Sequence, residues 1–273
     1  MDRFLPDPVS GGVLASRVSA LLAACALVTS GLRADEGEGA VEREGWVLTF
    51  FDDFEGDRLD YEKWTPRDPW EVVRNEELQG YWIKAFRVEG GLLRIRCEDE
   101  PTFYDGARRD FRSGMMTTSG KFSQAFGRFE IRCRVPSGRG LWPAFWLLPD
   151  PPSWPPEIDV MELQGEQPDT VYFSHHWRDP GESRDESLSL TKEFRGPDFS
   201  EKFHLFAIEW DEEGIRWYVD GILRHRASEE VPQVPMFLFV NLAVGGWAEE
   251  PDESTPFPSD FFIDWVRVWK REG

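Results

Sequence analysis

The chain has little cysteine and a shortage of positive charge, and each shortage excludes a class of function. Three cysteines and four histidines occur in 273 residues, and none has metal-ligand spacing, so no metal site is predicted from them. Lysine and arginine total 31 against 51 acidic residues, giving a net charge of −20. Such a chain is unsuited to a phosphate backbone, so we expect no nucleic-acid partner and favour a neutral ligand.

Long hydrophobic runs are also missing, so no membrane span is predicted. A short apolar run over residues 18–28 follows an arginine and precedes small residues, which is the pattern of an export signal. We predict a signal peptide over residues 1–34, cleaved after Ala34, and a secreted or periplasmic protein. Cys25 ends a motif similar to a lipoprotein acylation box, so a lipid anchor at Cys25 is the minority alternative.

The rest of the chain lacks a sustained helical period and internal repeats. Residues 35–45 are acidic and contain glycine, which indicates a short spacer. Residues 46–271 consist of short β-branched or aromatic segments separated by Gly, Pro and Asp turns. We therefore predict one all-β domain, a sandwich of two antiparallel sheets that curve to leave a concave groove. Residues 178–202 are polar and poor in apolar pattern, and we predict a surface loop there that could include a helical turn.

Individual segments support the all-β interpretation. Met236–Val244 is almost continuously apolar, as in a strand buried on both faces, and Asp220-Gly221 is a two-residue hairpin signal. Cys97 and Cys133 each lie on the apolar side of an alternating segment, where a small buried side chain is the default. They could form a disulfide in an oxidising compartment if their strands are neighbours.

Three carboxylates alternate with apolar residues in the segment Glu157-Ile158-Asp159-Val160-Met161-Glu162. Strict strand alternation puts Glu157 and Asp159 on one face but Glu162 on the other. A one-residue bulge at Val160-Met161 would return Glu162 to the acidic face. Taken alone, the alternation favours an ordinary half-solvated strand. However, a row of acids beside tryptophans carries an electrostatic cost that is more often tolerated at working sites.

This segment, together with other blocks in the same order, resembles glycoside hydrolase family 16, and specifically its laminarinase branch, which acts on β-1,3-glucans. The resemblance covers Trp46 to Trp269. Besides the bulged acidic motif, the matching blocks are Asn75-Glu76-Glu77-Leu78-Gln79, Gly138-Arg139-Gly140-Leu141-Trp142-Pro143-Ala144-Phe145-Trp146, Trp217-Tyr218-Val219-Asp220-Gly221 and Asn241-Leu242-Ala243-Val244-Gly245-Gly246.

The resemblance implies a β-jelly-roll and a retaining endo-hydrolase with a covalent glycosyl-enzyme intermediate. Glu157 would be the nucleophile, Glu162 the general acid/base and Asp159 the residue that tunes the pair. Retention requires the two carboxyls to lie about 5–5.5 Å apart, so the strand must bend. The substrate-binding residues implied by the same resemblance are Asn75, Trp142, Trp146, His176 and Trp247. For one of the two tryptophans before the acidic strand, core packing is the competing interpretation.

Partners and substrate follow from the same resemblance. We expect a monomer that acts on internal β-1,3 linkages of a polysaccharide without a required cofactor, and Asp264 lies where relatives hold a structural calcium. Met115 stands where many laminarinase-like relatives carry an arginine. Another β-glucan or an agarose-type galactan is therefore an alternative substrate, and a non-catalytic carbohydrate-binding protein is an alternative function. Hydrolysis and transglycosylation are left open.

Overall fold

The computed structural model describes residues 42–179 and 187–273; the predicted signal peptide, its cleavage site and Cys25 lie outside the described residues. Within them the chain forms β-strands and one short 3₁₀ turn, Ile83–Ala85. The strands are β1 (Trp46–Asp52), β2 (Gln79–Tyr81), β3 (Phe86–Val88), β4 (Leu93–Cys97), β5 (Thr102–Tyr104), β6 (Ala107–Arg109), β7 (Phe111–Ser113), β8 (Met115–Thr117), β9 (Gly127–Arg134), β10 (Leu141–Pro149), β11 (Glu157–Leu163), β12 (Thr170–Arg178), β13 (Ser187–Arg195), β14 (His204–Asp211), β15 (Gly214–Val219), β16 (Ile222–Ala227), β17 (Met236–Val244) and β18 (Ser259–Arg271). No helix among these residues is long and apolar enough to span a membrane.

Two large antiparallel sheets make up the sandwich. One has the order β16-β15-β14-β9-β18-β4-β3, with β1 also paired to β18, and the other has the order β13-β12-β11-β10-β17-β8. Their facing side chains form one apolar core, because Ile131 and Val266 of the first sheet and Ile158 and Leu242 of the second belong to the same fully buried cluster. The predicted all-β sandwich is confirmed.

Local sequence signals explain several of these strands. All nine residues of β17 are buried, as its continuous apolar run predicts, because it lies in the interior of the six-stranded sheet. Asp220 and Gly221 have φ of 50° and 75°, so both central residues of the turn between β15 and β16 are left-handed. Asn-Gly and Asp-Gly pairs favour this geometry, which matches the twist of the strands they connect.

The predicted surface loop over residues 178–202 is wrong in its central part. Ser187–Arg195 forms β13, which pairs with β12 and is the edge strand of the six-stranded sheet. Leu190 and Phe194 on one face of β13 are partly buried against the core, whereas every second residue from Ser187 to Arg195 is exposed. The alternation of apolar residues is short, because Lys192 interrupts it between Leu190 and Phe194, and such a weak pattern did not identify the strand.

The two described cysteines are buried and free. Cys97 lies opposite Ser259 and Cys133 opposite Ile263, so β18 runs between their strands. The condition for a disulfide, neighbouring strands, is not met. Burial raises the pKa of the Cys97 thiol to about 12, so this thiol stays protonated and behaves as a small apolar side chain.

Candidate active site

Strand β11 contains the bulge that the acidic motif predicts. Asp159 lies opposite Ser174 and Glu162 opposite Tyr172, so three steps along β11 match two steps along β12. The pairing with β10 is interrupted at the same place. The extra residue turns the second half of the strand over, because side chains alternate with period two.

The bulge separates the side chains of β11 into a core set and a groove set. Ile158, Val160, Met161 and Leu163 belong to the main core cluster and have no exposed surface, although Val160 and Met161 are consecutive. The three carboxylates all line a groove on the opposite face of the sheet. The half-solvated strand is thus not the arrangement here, because Asp159 is only 2% exposed.

The groove has a cavity volume of about 1180 Å³. It collects every residue that the sequence assigned to the site, together with Met115. Those eight residues are Asn75, Trp142, Trp146, Glu157, Asp159, Glu162, His176 and Trp247. They come from three strands of the six-stranded sheet and from the segments that precede β2 and follow β17, and the sheet brings them to one surface.

His176 and two indole groups hold the carboxylates. The His176 Nε2 atom lies 3.2 Å from Asp159 Oδ2 and 3.6 Å from Glu157 Oε1. Trp142 Nε1 donates to Glu162 Oε1 at 3.1 Å, and the side chain of Trp154 hydrogen-bonds to Glu157. Each of the two glutamates therefore has its own indole partner. The imidazole of His176 is shared by Glu157 and Asp159.

The three acids hold their protons more tightly than ordinary carboxyls. Burial is the main cause for each, and it raises the pKa of Asp159 to about 8. The pKa of Glu157 and that of Glu162 are raised well above their usual range by burial and then by the charge of Asp159, with His176 opposing both shifts. The group therefore titrates as a unit.

Asp159→Asn should make the domain more stable than the wild type at neutral and alkaline pH. The folded-state pKa of Asp159, about 8, lies above its unfolded value, so its contribution to stability is full below about pH 4 and is lost as pH rises through 8. Asparagine carries no such penalty. We expect a gain of roughly 1–3 kcal/mol near pH 8, or about 2–4 °C in Tm per kcal/mol.

Thermal melts of both proteins from pH 4 to pH 9 would measure this difference. Asp211→Asn is the control of opposite sign: partial burial works against it, but hydrogen bonds from Arg216 and from backbone amides lower the pKa of Asp211. A Tm difference between Asp159→Asn and wild type that stays constant across this range would contradict the account of the acidic cluster.

The two tryptophans of β10 differ in their packing. Trp146 stacks on Phe239 with ring centroids 4.0 Å apart and donates from Nε1 to Asn241 Oδ1 at 2.8 Å. Trp142 is 8% exposed, packs with Ala243 and Ala248 in a small separate cluster, and meets Trp247 edge-to-face at 5.4 Å. Both rings line the groove, so neither is part of the main core.

Comparison with known proteins identifies the family. The family model described as Glycosyl hydrolases family 16 matches residues 84–267. The chain belongs to glycoside hydrolase family 16. The expected resemblance is confirmed, and the chain is a glycoside hydrolase with the family's jelly-roll fold.

Relatives of this family 16 domain include enzymes with different printed specificities. A beta-glucanase of Rhodothermus marinus is 38% identical over 254 residues, covering 82% of this chain and 85% of that protein. Endo-1,3-1,4-beta-glycanase EglC of Rhizobium meliloti (strain 1021) is 33% identical over 263 residues, which is 89% of this chain but 56% of EglC. The catalytic domain of an endo-1,3-beta-glucanase (laminarinase) from Thermotoga petrophila RKU-1 superposes with a TM-score of 0.74 at 37% identity, covering 84% of this chain and 99% of that chain.

Several groove residues of the family 16 domain were not predicted from the sequence. Trp154 is half exposed and lies 6.4 Å from the His176 ring, and Trp70 and Arg74 form a stacked pair at 4.9 Å. An aromatic residue three positions before the first glutamate of the acidic motif is a signal that could have identified Trp154. Trp70 offers no such signal, because it lies in the segment between β1 and β2, far along the chain from the acidic motif, and only the tertiary structure brings it to the groove.

Asp264, the residue predicted to bind calcium, forms an ion pair with Arg132 of the same domain. Arg132 Nη1 donates to Asp264 Oδ2, so calcium at this carboxylate would compete with a guanidinium. Among the described residues, the one group of three carboxylate or imidazole ligands that could share a cation is Glu157, Asp159 and His176 in the groove. The surroundings of Asp264 thus do not favour calcium, and its binding there stays a prediction.

Proposed function

We propose that this glycoside hydrolase is an exported endo-β-1,3-glucanase that works by retaining double displacement. The observation that carries the proposal is the bulge in β11, which places Glu157, Asp159 and Glu162 together on the floor of an open groove. Two carboxyls flanking a glycosidic bond are the minimum set for this reaction. The leader predicted over residues 1–34 supports export.

In the first step, a Glu157 carboxylate oxygen attacks the anomeric carbon, and the bond to the leaving sugar oxygen breaks. Glu162 donates its proton to that oxygen, so the leaving sugar departs as a neutral alcohol. In the second step, Glu162 takes a proton from water, whose oxygen displaces Glu157 from the anomeric carbon. Two inversions leave the configuration unchanged.

The electrostatic surroundings support this division of roles. His176 Nε2 lies 3.6 Å from Glu157 Oε1, and His176 opposes the rise in the pKa of Glu157. The structure has no ion pair between His176 and Glu162 among the described residues. In the proposed reaction the retained proton is assigned to Glu162, because the general acid must be protonated while the nucleophile is ionised. Asp159, hydrogen-bonded to Glu157, adjusts the charge of the nucleophile.

A neutral β-glucan fits the groove best. The chain carries a net charge of −20, which disfavours a polyanionic substrate, and the exposed tryptophans Trp154 and Trp247 provide apolar surface for the apolar faces of sugar rings. Similarity to the endo-1,3-beta-glucanase (laminarinase) of Thermotoga petrophila RKU-1 supports the β-1,3 linkage as the one cleaved. Mixed-linkage β-1,3-1,4-glucan is the second candidate, supported by the name of the EglC relative.

A polysaccharide panel tests the proposal. Purified protein would be incubated with laminarin, mixed-linkage β-glucan, a β-1,4-glucan and agarose, and reducing ends and product lengths would be measured. We expect the highest kcat/KM on laminarin, with internal cleavage and β-configured products by proton NMR at early times. Higher kcat/KM on mixed-linkage glucan would select the second candidate, and α-configured first products would reject retention.

A further inference from the structure

Glu77 is a fourth buried carboxylate at the groove, and the proposed reaction does not use it. It is 8% exposed and lies just before β2. Its Oε2 atom accepts hydrogen bonds from Gln79 Nε2 at 2.5 Å and from the Tyr81 hydroxyl at 3.1 Å. A buried acid costs free energy unless it is satisfied, so its partners indicate what it does.

The hydrogen-bond direction along this network is fixed by its far end. The indole N–H of Trp146 can only donate, so Asn241 must turn Oδ1 towards it, at 2.8 Å. The Asn241 amide nitrogen then donates to the Tyr81 hydroxyl oxygen at 3.2 Å. Because the Tyr81 oxygen accepts from Asn241, the single hydroxyl proton of Tyr81 is donated to Glu77, and the relay ends on a carboxylate oxygen that accepts.

A second branch leads to the same oxygen. The backbone N–H of Val244 donates to Gln79 Oε1 at 2.7 Å, so the Gln79 amide nitrogen is the end that faces Glu77. Two donors therefore converge on Oε2, which leaves no place for a proton on that atom. Only Oε1 of Glu77 is left for the groove.

The charges around Glu77 connect it with the catalytic acids. Burial raises the pKa of Glu77, the donors Gln79 and Tyr81 and the charge of Arg74 oppose that shift, and Asp68 adds to it. Glu162 interacts with Asp159, His176 and the Trp142 indole, and Glu77 is a further negative neighbour. The Trp142 ring and Glu77 Cγ lie 3.2 Å and 3.4 Å from the position that a Cβ of Gly246 would occupy, so Glu77 lies near the indole that donates to Glu162. Unlike Asp159, Glu77 lies outside β11.

We propose that Glu77 is a positioning residue of the groove. Through Tyr81 and Asn241 it orients the Trp146 ring, and through its charge it helps Glu162 retain its proton. The second part rests on the proposed role of Glu162 as general acid/base. Two substitutions separate the parts, because one breaks the relay and leaves the charge, while the other keeps an acceptor and removes the charge.

Tyr81→Phe removes the central hydroxyl of the relay. We expect KM for laminarin oligosaccharides to rise about three- to tenfold, the loss of one buried hydrogen bond, with a smaller change in kcat. The alkaline limb of the rate–pH profile should stay where it is, because every carboxylate remains. Tyr218→Phe is the matched control, since Tyr218 donates to Glu209 Oε2 at 3.2 Å away from the groove.

Glu77→Gln preserves an oxygen acceptor for Gln79 and Tyr81 and removes the charge. A lost negative neighbour lowers the pKa of Glu162, so the alkaline limb of kcat/KM should move to lower pH by a few tenths of a unit, with KM near the wild-type value. Glu209→Gln is the matched control and should leave the limb unmoved. Thermal melts confirm that each variant is folded.

A Tyr81→Phe variant with wild-type KM, or a Glu77→Gln variant with an unmoved alkaline limb, would overturn the inference. Failure of the proposed function would be recognised separately. In that case the wild-type protein itself would not cleave laminarin, whereas failure of the inference about Glu77 leaves wild-type cleavage intact.

Discussion

Glu157→Gln is expected to lower the rate of glucan hydrolysis by about 10⁴-fold or more. Glutamine matches glutamate in shape and can still accept from Trp154, but it cannot form the glycosyl ester. The fold should be unchanged, because Glu157 is on the groove face of β11 and its neighbour Ile158 supplies the core contact. Reducing-end assays, a thermal melt and laminarin-oligosaccharide binding measured by calorimetry would together test this.

Chemical rescue sharpens the same experiment. In Glu157→Ala, azide can occupy the space of the lost carboxylate and attack the anomeric carbon, giving a glycosyl azide of inverted configuration. Glu193→Gln, on the exposed edge strand β13, is the control and should keep wild-type activity. Wild-type hydrolysis by Glu157→Gln would contradict the assignment of the nucleophile. Glucan binding without hydrolysis by the wild type would favour the non-catalytic alternative.

Deleting Met161 is expected to reduce activity by about 10²-fold or more while the domain still folds. The deletion removes the residue that makes three steps of β11 match two of β12, and the strand can then pair without a bulge. Glu162 would still alternate onto the groove face, but on a straighter strand the two glutamates would lie too far apart. Displacements of about 1 Å can cost such a factor.

Met161→Leu is the matched control for this deletion. It keeps the bulge and nearly conserves the volume of a side chain that has no exposed surface, so we expect a stability loss below about 1.5 kcal/mol and near-normal kcat. The deletion should cost more stability as well, since a buried methionine contributes about 2–5 kcal/mol. A deletion variant with wild-type kcat would show that the bulge is not needed for the spacing of the acids.

The acidic strand could be predicted because its signals are local. Alternation alone fixes the faces of Glu157 and Asp159, and the need to return Glu162 to the same face locates the bulge within one residue pair. The other predicted site residues were reached by family resemblance, and the structure brings all of them to the groove, as the placement of Asn75 and His176 illustrates. Their roles are not fixed by that placement.

What the sequence could not provide is contact between distant segments. The relay from Glu77 to Trp146 passes through Tyr81 and Asn241, which are 160 positions apart, and no local pattern connects them. The predicted loop over residues 178–202 failed for the opposite reason. Strand β13 carries only a weak local signal, because it is an edge strand with one partly buried face and Lys192 interrupts its row of apolar residues.

The position of β13 at the edge of its sheet affects how readily two copies of the chain could associate edge to edge. Among residues 42–179 and 187–273, β13 has a sheet partner on one side of its backbone only, and its exposed side chains include Lys192, Glu193 and Arg195. At the other end of the sheet, β8 is three residues long and is bridged by Thr65. Charged or short and covered edges resist strand addition by a second chain. Molecules crowded along one polymer can therefore work side by side without their sheets merging into aggregates.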